Sequence, residues 1–360
     1  MHFDPSMTAA QDSVFRCKRL CREGSEGELV PFLAIFSGLW YHSSTSLPKE
    51  ALSMASHSKK RGKQGGKATP LATLFALIFF LAALIYYEAP QLLDQFSPQA
   101  VQPVTEGGLT VHFLDVGQGD SALLLSGGEA MLIDGGPRSA SEELLADLER
   151  LGVTQLDYLV ATHPHEDHIG GLPQLVETLS VEQCWMPDDV SDSKIYEDFL
   201  LALDEGDVSV TVPEAGDSFA FGDCTVTVLA PIQISEDHNN NSLVLRVVCG
   251  ETSFLFTGDM EEDEEEDLLS ARTDLSADVL KVAHHGSAYT SSTRFLQLVE
   301  PELAVISCGE GNSYGHPHAE LVQRLEYLEI PIYRTDLQGE ITVSSDGKEL
   351  SVSTEREAAE

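Results

Sequence analysis

The stretch Thr162-His163-Pro164-His165-Glu166-Asp167-His168-Ile169-Gly170-Gly171 gathers three histidines and two carboxylates directly behind the apolar run 156–161. That is the layout of a metal site at the mouth of a strand. Imidazole and carboxylate together suit zinc, manganese or iron, and the i, i+2 spacing of His163 and His165 lets both rings converge on one ion from a tight loop. Asp167 and His168 then stand where they can hold a second ion beside it. A polar loop with incidental histidines is the alternative; four potential ligands at this spacing, closed by Gly170-Gly171, favour the metal.

Three later segments also end apolar runs in polar groups. Phe256-Thr257-Gly258-Asp259 places a carboxylate at a strand terminus, where it can bridge two ions. Residues 280–287 place His284 and His285 at another, and the loop 309–318 carries Asn312, Tyr314, His316 and His318. Each alone is weak, since Gly-Asp is a common turn and paired histidines occur by chance. Together they match what a binuclear hydrolase needs: ligands for both ions, a bridging carboxylate and further donors for a substrate.

The elements that must position these groups alternate along the chain. Residues 109–125 and 130–133 read as strands parted by the hairpin signal Gly127-Gly128, and 141–151 as a helix with Leu144, Leu145, Leu148 and Leu151 on one face. The strand 156–161 delivers the histidine loop; helices follow over 171–179 and 192–203, then short strands over 208–230. A second hairpin, 242–248 and 253–257, turns at Gly250-Glu251. An acidic helix around 261–267, a strand at 279–282, a helix at 293–298, a strand at 303–307, a helix at 319–328 and strands near Ile332 and Ile341 complete the order. This order predicts an α/β fold, a four-layer αββα sandwich over 109–352, with 353–360 a C-terminal tail.

Ahead of that domain, 71–87 is an uncharged apolar run, long enough at about 17 residues to cross a bilayer as a helix. Lys59, Lys60, Arg61, Lys63 and Lys67 precede it, whereas Glu88, Asp94 and Glu106 follow. That asymmetry keeps 1–70 in the cytoplasm and puts the rest outside, as a single-pass membrane protein with 88–108 as linker. Cleavage of the same run as a signal peptide, giving a secreted domain, is the competing reading. Met54, followed by the basic cluster, reads as the natural start, leaving 1–53 untranslated in vivo. Cys17, Cys21, Cys184, Cys224, Cys249 and Cys308 show no regular spacing, so buried single thiols at strand positions such as Cys249 are expected rather than a disulfide framework.

The 360 residues are 42% hydrophobic, enough for one large domain with appendages, and carry a formal net charge of −38. Such a chain does not bind nucleic acid through a basic surface.

Phe113-Leu114-Asp115-Val116-Gly117-Gln118-Gly119-Asp120-Ser121, the histidine loop, Asn239-Asn240-Asn241-Ser242-Leu243-Val244-Leu245, Gly258-Asp259, residues 282–287 and Tyr314-Gly315-His316-Pro317-His318 resemble the motif series of the metallo-β-lactamase superfamily. Within it they resemble the extracytoplasmic hydrolase domain of the ComEC competence family, over about 109–352. The resemblance implies two divalent ions, zinc or manganese, with His163 and His165 on the first, Asp167 and His168 on the second, and Asp259 bridging. His285, or His284 in its place, completes the second. The superfamily's third histidine for the first ion has no evident counterpart; its place falls in the run Asn239, Asn240, Asn241, so an amide or the nearby His238 completes that site. Asp115 and Asp120 would support the metal histidines, and Ser287, Tyr314 and His316 would support the centre or the substrate. The implied reaction is hydrolysis by a metal-bound hydroxide that Asp167 orients, with His284 or His318 protonating the leaving group.

A phosphodiester is the implied substrate, and DNA outside the cell the first candidate. The acidity of the chain favours a second, a surface phosphodiesterase acting on small or choline-type phosphoesters. A non-catalytic surface binding module is the third.

Overall fold

The computed structural model describes residues 108–357. The expected anchor at 71–87, its linker, the start at Met54, Cys17, Cys21 and residues 358–360 lie outside them. No helix among the described residues is long and apolar enough to cross a membrane.

Strand β1 (Leu109–Phe113) and the hairpin of β2 (Ala122–Ser126) and β3 (Glu129–Ile133) lead into helix α1 (Ser141–Arg150) and strand β4 (Gln155–Val160). The short helices α2 (Glu166–Ile169) and α3 (Leu172–Thr178) follow, then β5 (Ser180–Trp185), α4 (Lys194–Glu205) and β6 (Ser209–Thr211). The second half opens with β7 (Ser218–Phe221), β8 (Cys224–Ala230), β9 (Val244–Cys249), β10 (Thr252–Phe256), α5 (Glu262–Ala271) and β11 (Val279–Lys281). It closes with α6 (Thr293–Val299), β12 (Leu303–Ile306), α7 (Ala319–Tyr327), β13 (Ile332–Arg334), α8 (Thr335–Gln338), β14 (Ile341–Ser345) and β15 (Leu350–Thr354).

These strands form two sheets, one of eight in the order β15-β14-β1-β2-β3-β4-β5-β6 and one of seven in the order β13-β12-β11-β10-β9-β8-β7. In each, hairpin-linked strands pair antiparallel, while β3 to β6 and β10 to β13 pair parallel. The inner faces meet in one apolar layer, to which the first sheet gives Phe113, Leu124, Met131 and Val160 and the second Phe221, Val247, Phe254 and Val305. Helices α1, α3 and α4 cover the outer face of the first sheet through Leu144, Leu172 and Phe199. Helices α5, α6 and α7 cover the other through Leu268, Phe295 and Leu321. Every residue of β10 and β12 is buried, as strands covered on both faces require, whereas edge strand β15 alternates half-buried and exposed. The result is a mixed α/β sandwich.

The structure departs from the sequence reading at several points: the run 109–125, read as strand, is two strands, β1 and β2, parted by residues 114–121. Strand β5, between the two expected helices, is absent from the sequence reading because Ser180, Glu182 and Gln183 break the apolar pattern that marks the other strands. The last strand β15 was not expected either; it runs to Thr354, two residues beyond the expected domain end, and Arg356 then pairs back to Asp115. Cys249 is not a single thiol. The antiparallel register of β8 and β9 sets Thr225 opposite Val248, which brings Cys224 and Cys249 face to face as a disulfide with Cα atoms 4.4 Å apart. Their separation of 25 residues carries no motif, so pairing became visible only through the sheet register. Cys184 and Cys308 are buried free thiols.

Candidate metal centre

The loops that follow β4, β10 and β11 meet at one rim of the sandwich, with Asp259 at their middle. This carboxylate is 2% exposed. Its Oδ1 lies 3.2 Å from His168 Nε2, and its Oδ2 lies 3.5 Å from His285 Nε2, 3.6 Å from His284 Nε2 and 4.0 Å from His163 Nε2. Asp167 Oδ2 stands 3.2 Å from His285 Nε2. One donor atom from each of Asp167, His168, Asp259 and His285 falls within 4.8 Å of the others.

Backbone geometry aims these groups. His284 and His285 both take left-handed conformations, with φ of 48° and 52°, which L-residues adopt at a cost on the order of 1–3 kcal/mol each. His284 N–H donates to Gly258 O at 3.1 Å, tying this turn to the loop that carries Asp259. A Cβ at Gly119 would come within 2.3 Å of Asp167 O, and Asp120 N–H donates to that same carbonyl at 3.2 Å. The loop after β1 is thereby clamped beneath the histidine loop, and glycine is what lets it approach.

Each central imidazole is held from behind. His168 Nδ1 lies 2.8 Å from Asp134 Oδ2, and Asp134 in turn accepts from Thr162 N–H at 2.8 Å and Thr162 Oγ1–H at 2.7 Å. His285 Nδ1–H donates to Ser307 O at 3.1 Å, with Asp120 Oδ1 also 3.1 Å away, and the other Asp120 oxygen is 2.6 Å from Lys281 Nζ. An Nδ1 that donates leaves the Nε2 lone pair facing the centre, the tautomer a metal ligand needs.

Burial disfavours a charged imidazole, yet Asp259 and Asp134 raise His168 well above its ordinary value, and Asp259 with Asp120 raises His285 to about 10. Burial works to raise Asp259 as well, but His168 and His285 hold it well below the carboxylate range. His163, by contrast, is pushed well below the ordinary value by burial and by His168. A field that so favours positive charge draws a divalent ion in competition with protons. His168 Nε2 and Asp259 Oδ1 are also buried without a hydrogen-bond partner. Two carboxylates, and two imidazoles once the ion displaces their inward protons, fit a divalent cation.

The remaining expected residues divide. His163 Nε2 and His165 Nδ1 are 3.0 Å apart, so the two rings do converge. The ring of His165 lies 5.6 Å from that of His238, whose Nδ1 is 2.7 Å from buried Asp189. Asn240 and Asn241 do not face the pair: Asn240 Oδ1 caps Glu264 N–H at 3.1 Å, and the Asn241 amide closes on Ser235 at 2.7 and 3.1 Å. The short turn His238–Asn241 uses those two amides to tie itself down. Asn239 donates to Glu261 Oε1 at 3.1 Å, and the same oxygen is 2.9 Å from His284 Nδ1.

Asp115 stands apart from the centre, half-buried and paired with Arg356 at 2.8 Å. Ser287 Oγ accepts from Tyr289 N–H at 3.4 Å and closes its own turn. His318 Nδ1 accepts from Ala288 N–H at 2.9 Å, and its ring lies 4.8 Å from that of His316, which stands 5.5 Å from His284. Tyr314 is exposed.

Sequence reasoning missed Asp134, Lys281, Asp189 and Glu261. Asp134 carried the same signal as Asp259, a carboxylate at a strand end beside glycine, in Ile133-Asp134-Gly135-Gly136. Lys281 was legible as a charge inside the apolar run 279–283. Nothing local marked Asp189 or Glu261, whose partners are distant in sequence.

Residues 114–310 match the family model described as the metallo-beta-lactamase superfamily. Among curated proteins the chain is similar to ComE operon protein 3 of Bacillus subtilis, with 33% identity over 250 residues, 64% of this chain and 32% of that one. It is also similar to competence protein ComA of Neisseria gonorrhoeae, with 31% identity over 255 residues, 68% of this chain and 33% of that one. The chain thus spans about a third of the length of these relatives. Among solved structures it is similar to the metallo-beta-lactamase fold protein YhfI from Bacillus subtilis, with a TM-score of 0.46 and 13% identity, covering 66% of this chain and 99% of that chain.

Proposed function

The chain belongs to the metallo-beta-lactamase superfamily as a ComEC-like, metal-dependent hydrolase, and on that premise we propose that it cleaves phosphodiester bonds, with DNA outside the cytoplasm as its substrate. The observation that carries the reading is the Asp259 cluster: four inward donors, two of them imidazoles fixed from behind, beside a mouth lined by further histidines.

Asp167, His168, Asp259 and His285 would hold one divalent ion, and His163 and His165, with Asp259 and His238 at hand, a second. Manganese and zinc both suit this mixture of oxygen and nitrogen donors. Bound there, such ions supply a water of lowered pKa and neutralise charge that builds on the phosphate oxygens. The chain's own groups do the rest. Asp134 and Asp120 keep the ligand imidazoles in register, and Asp167, partly open to solvent, orients the attacking water. His284, with Glu261 behind its Nδ1, presents Nε2 toward the leaving group as its proton donor; the His318 ring, fixed through Nδ1, is the next proton site outward.

The Cys224–Cys249 disulfide supports an oxidising, extracytoplasmic location for the domain, on a membrane anchor at 71–87. A net charge of −38 is the specific observation that favours the second reading, hydrolysis of small or choline-type phosphoesters. The test is hydrolysis of single-stranded DNA, double-stranded DNA, bis-p-nitrophenyl phosphate and a phosphocholine ester by the purified full chain with manganese or zinc. Cleavage of DNA, lost on chelation and in Asp167→Ala, is the expected result. Turnover of the phosphocholine ester alone moves the assignment to the second reading, and metal binding with no turnover of any substrate leaves a binding module.

A further inference from the structure

Tyr314 is 65% exposed, yet it is not loose. Its ring stacks on His316 with centroids 5.7 Å apart and planes at 20°. The ring of His316 stands 5.5 Å from that of His284 and 6.0 Å from that of His285, and His284 Nε2 is 3.6 Å from Asp259. A row of rings therefore leads from solvent to the metal centre. The loop that carries it is pinned from inside. Asn312 Oδ1 accepts the N–H groups of Tyr314 and His316 at 3.1 and 3.0 Å, and Asn312 Nδ2 donates to Gly309 O at 2.9 Å and His316 O at 2.6 Å. Gln118 Oε1, from the loop clamped under the histidines, accepts Gly309 N–H at 3.1 Å.

A single exposed aromatic is ordinary on a protein surface. One that gives one face to His316 and offers the other to solvent, on a loop held by Asn312 and Gln118 at the end of a row of rings, is ready to stack on a planar group. Charge argues the same way. With 21 Lys and Arg against 59 Asp and Glu, the chain gains little affinity for a polyanion through phosphate contacts, whereas stacking on a base does not depend on net charge.

We infer that Tyr314 is a stacking platform for an unpaired nucleobase beside the scissile phosphodiester, a role that rests on the phosphodiesterase reading above. A base inside a duplex has both faces covered, so the platform selects single strands and frayed ends.

The test compares wild type, Tyr314→Ala and Tyr314→Phe, each as the full chain with manganese, on an oligothymidylate and on an oligonucleotide of equal length whose sugars lack bases. Loss of one base–aromatic stack predicts a KM for oligothymidylate raised about tenfold in Tyr314→Ala, in KM rather than in kcat. Tyr314→Phe, which keeps the ring, behaves as wild type. The abasic strand shows the raised KM already in wild type, and Tyr314→Ala adds nothing to it. An unchanged KM in Tyr314→Ala, or an equal rise on both strands, overturns the platform and leaves the phosphodiesterase intact. Failure of the wild type to cleave either strand overturns the reading of DNA as the substrate and the platform with it.

Discussion

Lys281→Met tests whether the centre carries its own counter-ion. Among the described residues Lys281 is the only buried lysine or arginine, 4% exposed, with Nζ 2.6 Å from Asp120 Oδ2 and donating to Val282 O at 2.9 Å. Asp120 also lies close to a second buried carboxylate, with an oxygen within 4.8 Å of one on Asp134. Methionine keeps the length of the side chain and removes the ammonium. Asp120 is then left with the His285 ring, 3.1 Å from its Oδ1, as its remaining partner and with another buried carboxylate nearby, and removal of one partner from a buried pair destabilises by about 3–5 kcal/mol. Adding Asp120→Asn removes the second charge as well, so the double variant recovers most of that loss although it lacks both partners. The assay is urea unfolding of the metal-free protein followed by tryptophan fluorescence, to which Trp185, 8% exposed in the fold, contributes, with equal slopes required across the variants. Manganese should then raise the midpoint of Lys281→Met by more than that of wild type, because divalent charge replaces what the ammonium supplied and binding to the folded state alone adds to stability. A loss under about 1 kcal/mol in the single variant, or a double variant no more stable than the single, refutes the counter-ion argument.

Three further outcomes are expected. Asp134→Ala removes the acceptor behind His168 Nδ1 and should weaken metal binding by about 10- to 100-fold in chelator competition; unchanged affinity would show that Asp134 does not set the ring. Cys224→Ser opens a loop of 25 residues and should lower unfolding free energy by about 3 kcal/mol, an effect that a reducing agent reproduces in wild type and not in the variant. Burial would raise Glu340, but its contact with His112 at 2.7 Å and its pairing with Arg150 hold it at about 2, below the ordinary carboxylate value. A depressed carboxyl contributes stability above its unfolded pKa and loses it as pH falls through the folded one. Wild type should therefore exceed Glu340→Gln by a constant margin above about pH 4.5 that closes toward pH 2, and a margin independent of pH across that window would exclude the pairing as its source.

How much of this was legible in advance follows from where each signal resides. The sandwich was readable because apolar periodicity is local: the Gly127-Gly128 and Gly250-Glu251 hairpins and the helix around Leu144 and Leu148 each carry their pattern within a few residues. β5 escaped because Glu182 and Gln183 interrupt that pattern, and burial there depends on a neighbouring strand rather than on the run itself. The candidate donors were readable for a related reason. Ligand chemistry needs specific side chains at the ends of strands, and His163, His165, Asp167, His168 and Asp259 announce themselves by type and position.

The sequence by itself therefore determined the fold class, the rim at which the candidate donors gather and the set of side chains available there. Only the tertiary structure decided which donors meet. It set His285 rather than His284 against both Asp167 and Asp259, turned Asn240 and Asn241 into ties for their own loop, moved Asp115 out to Arg356, and placed Asp134, Lys281 and Asp120 beneath the imidazoles. The physical reason is common to all of these. An imidazole becomes a ligand through the group behind its other nitrogen, and that group comes from another strand end, at a sequence distance that no local pattern encodes.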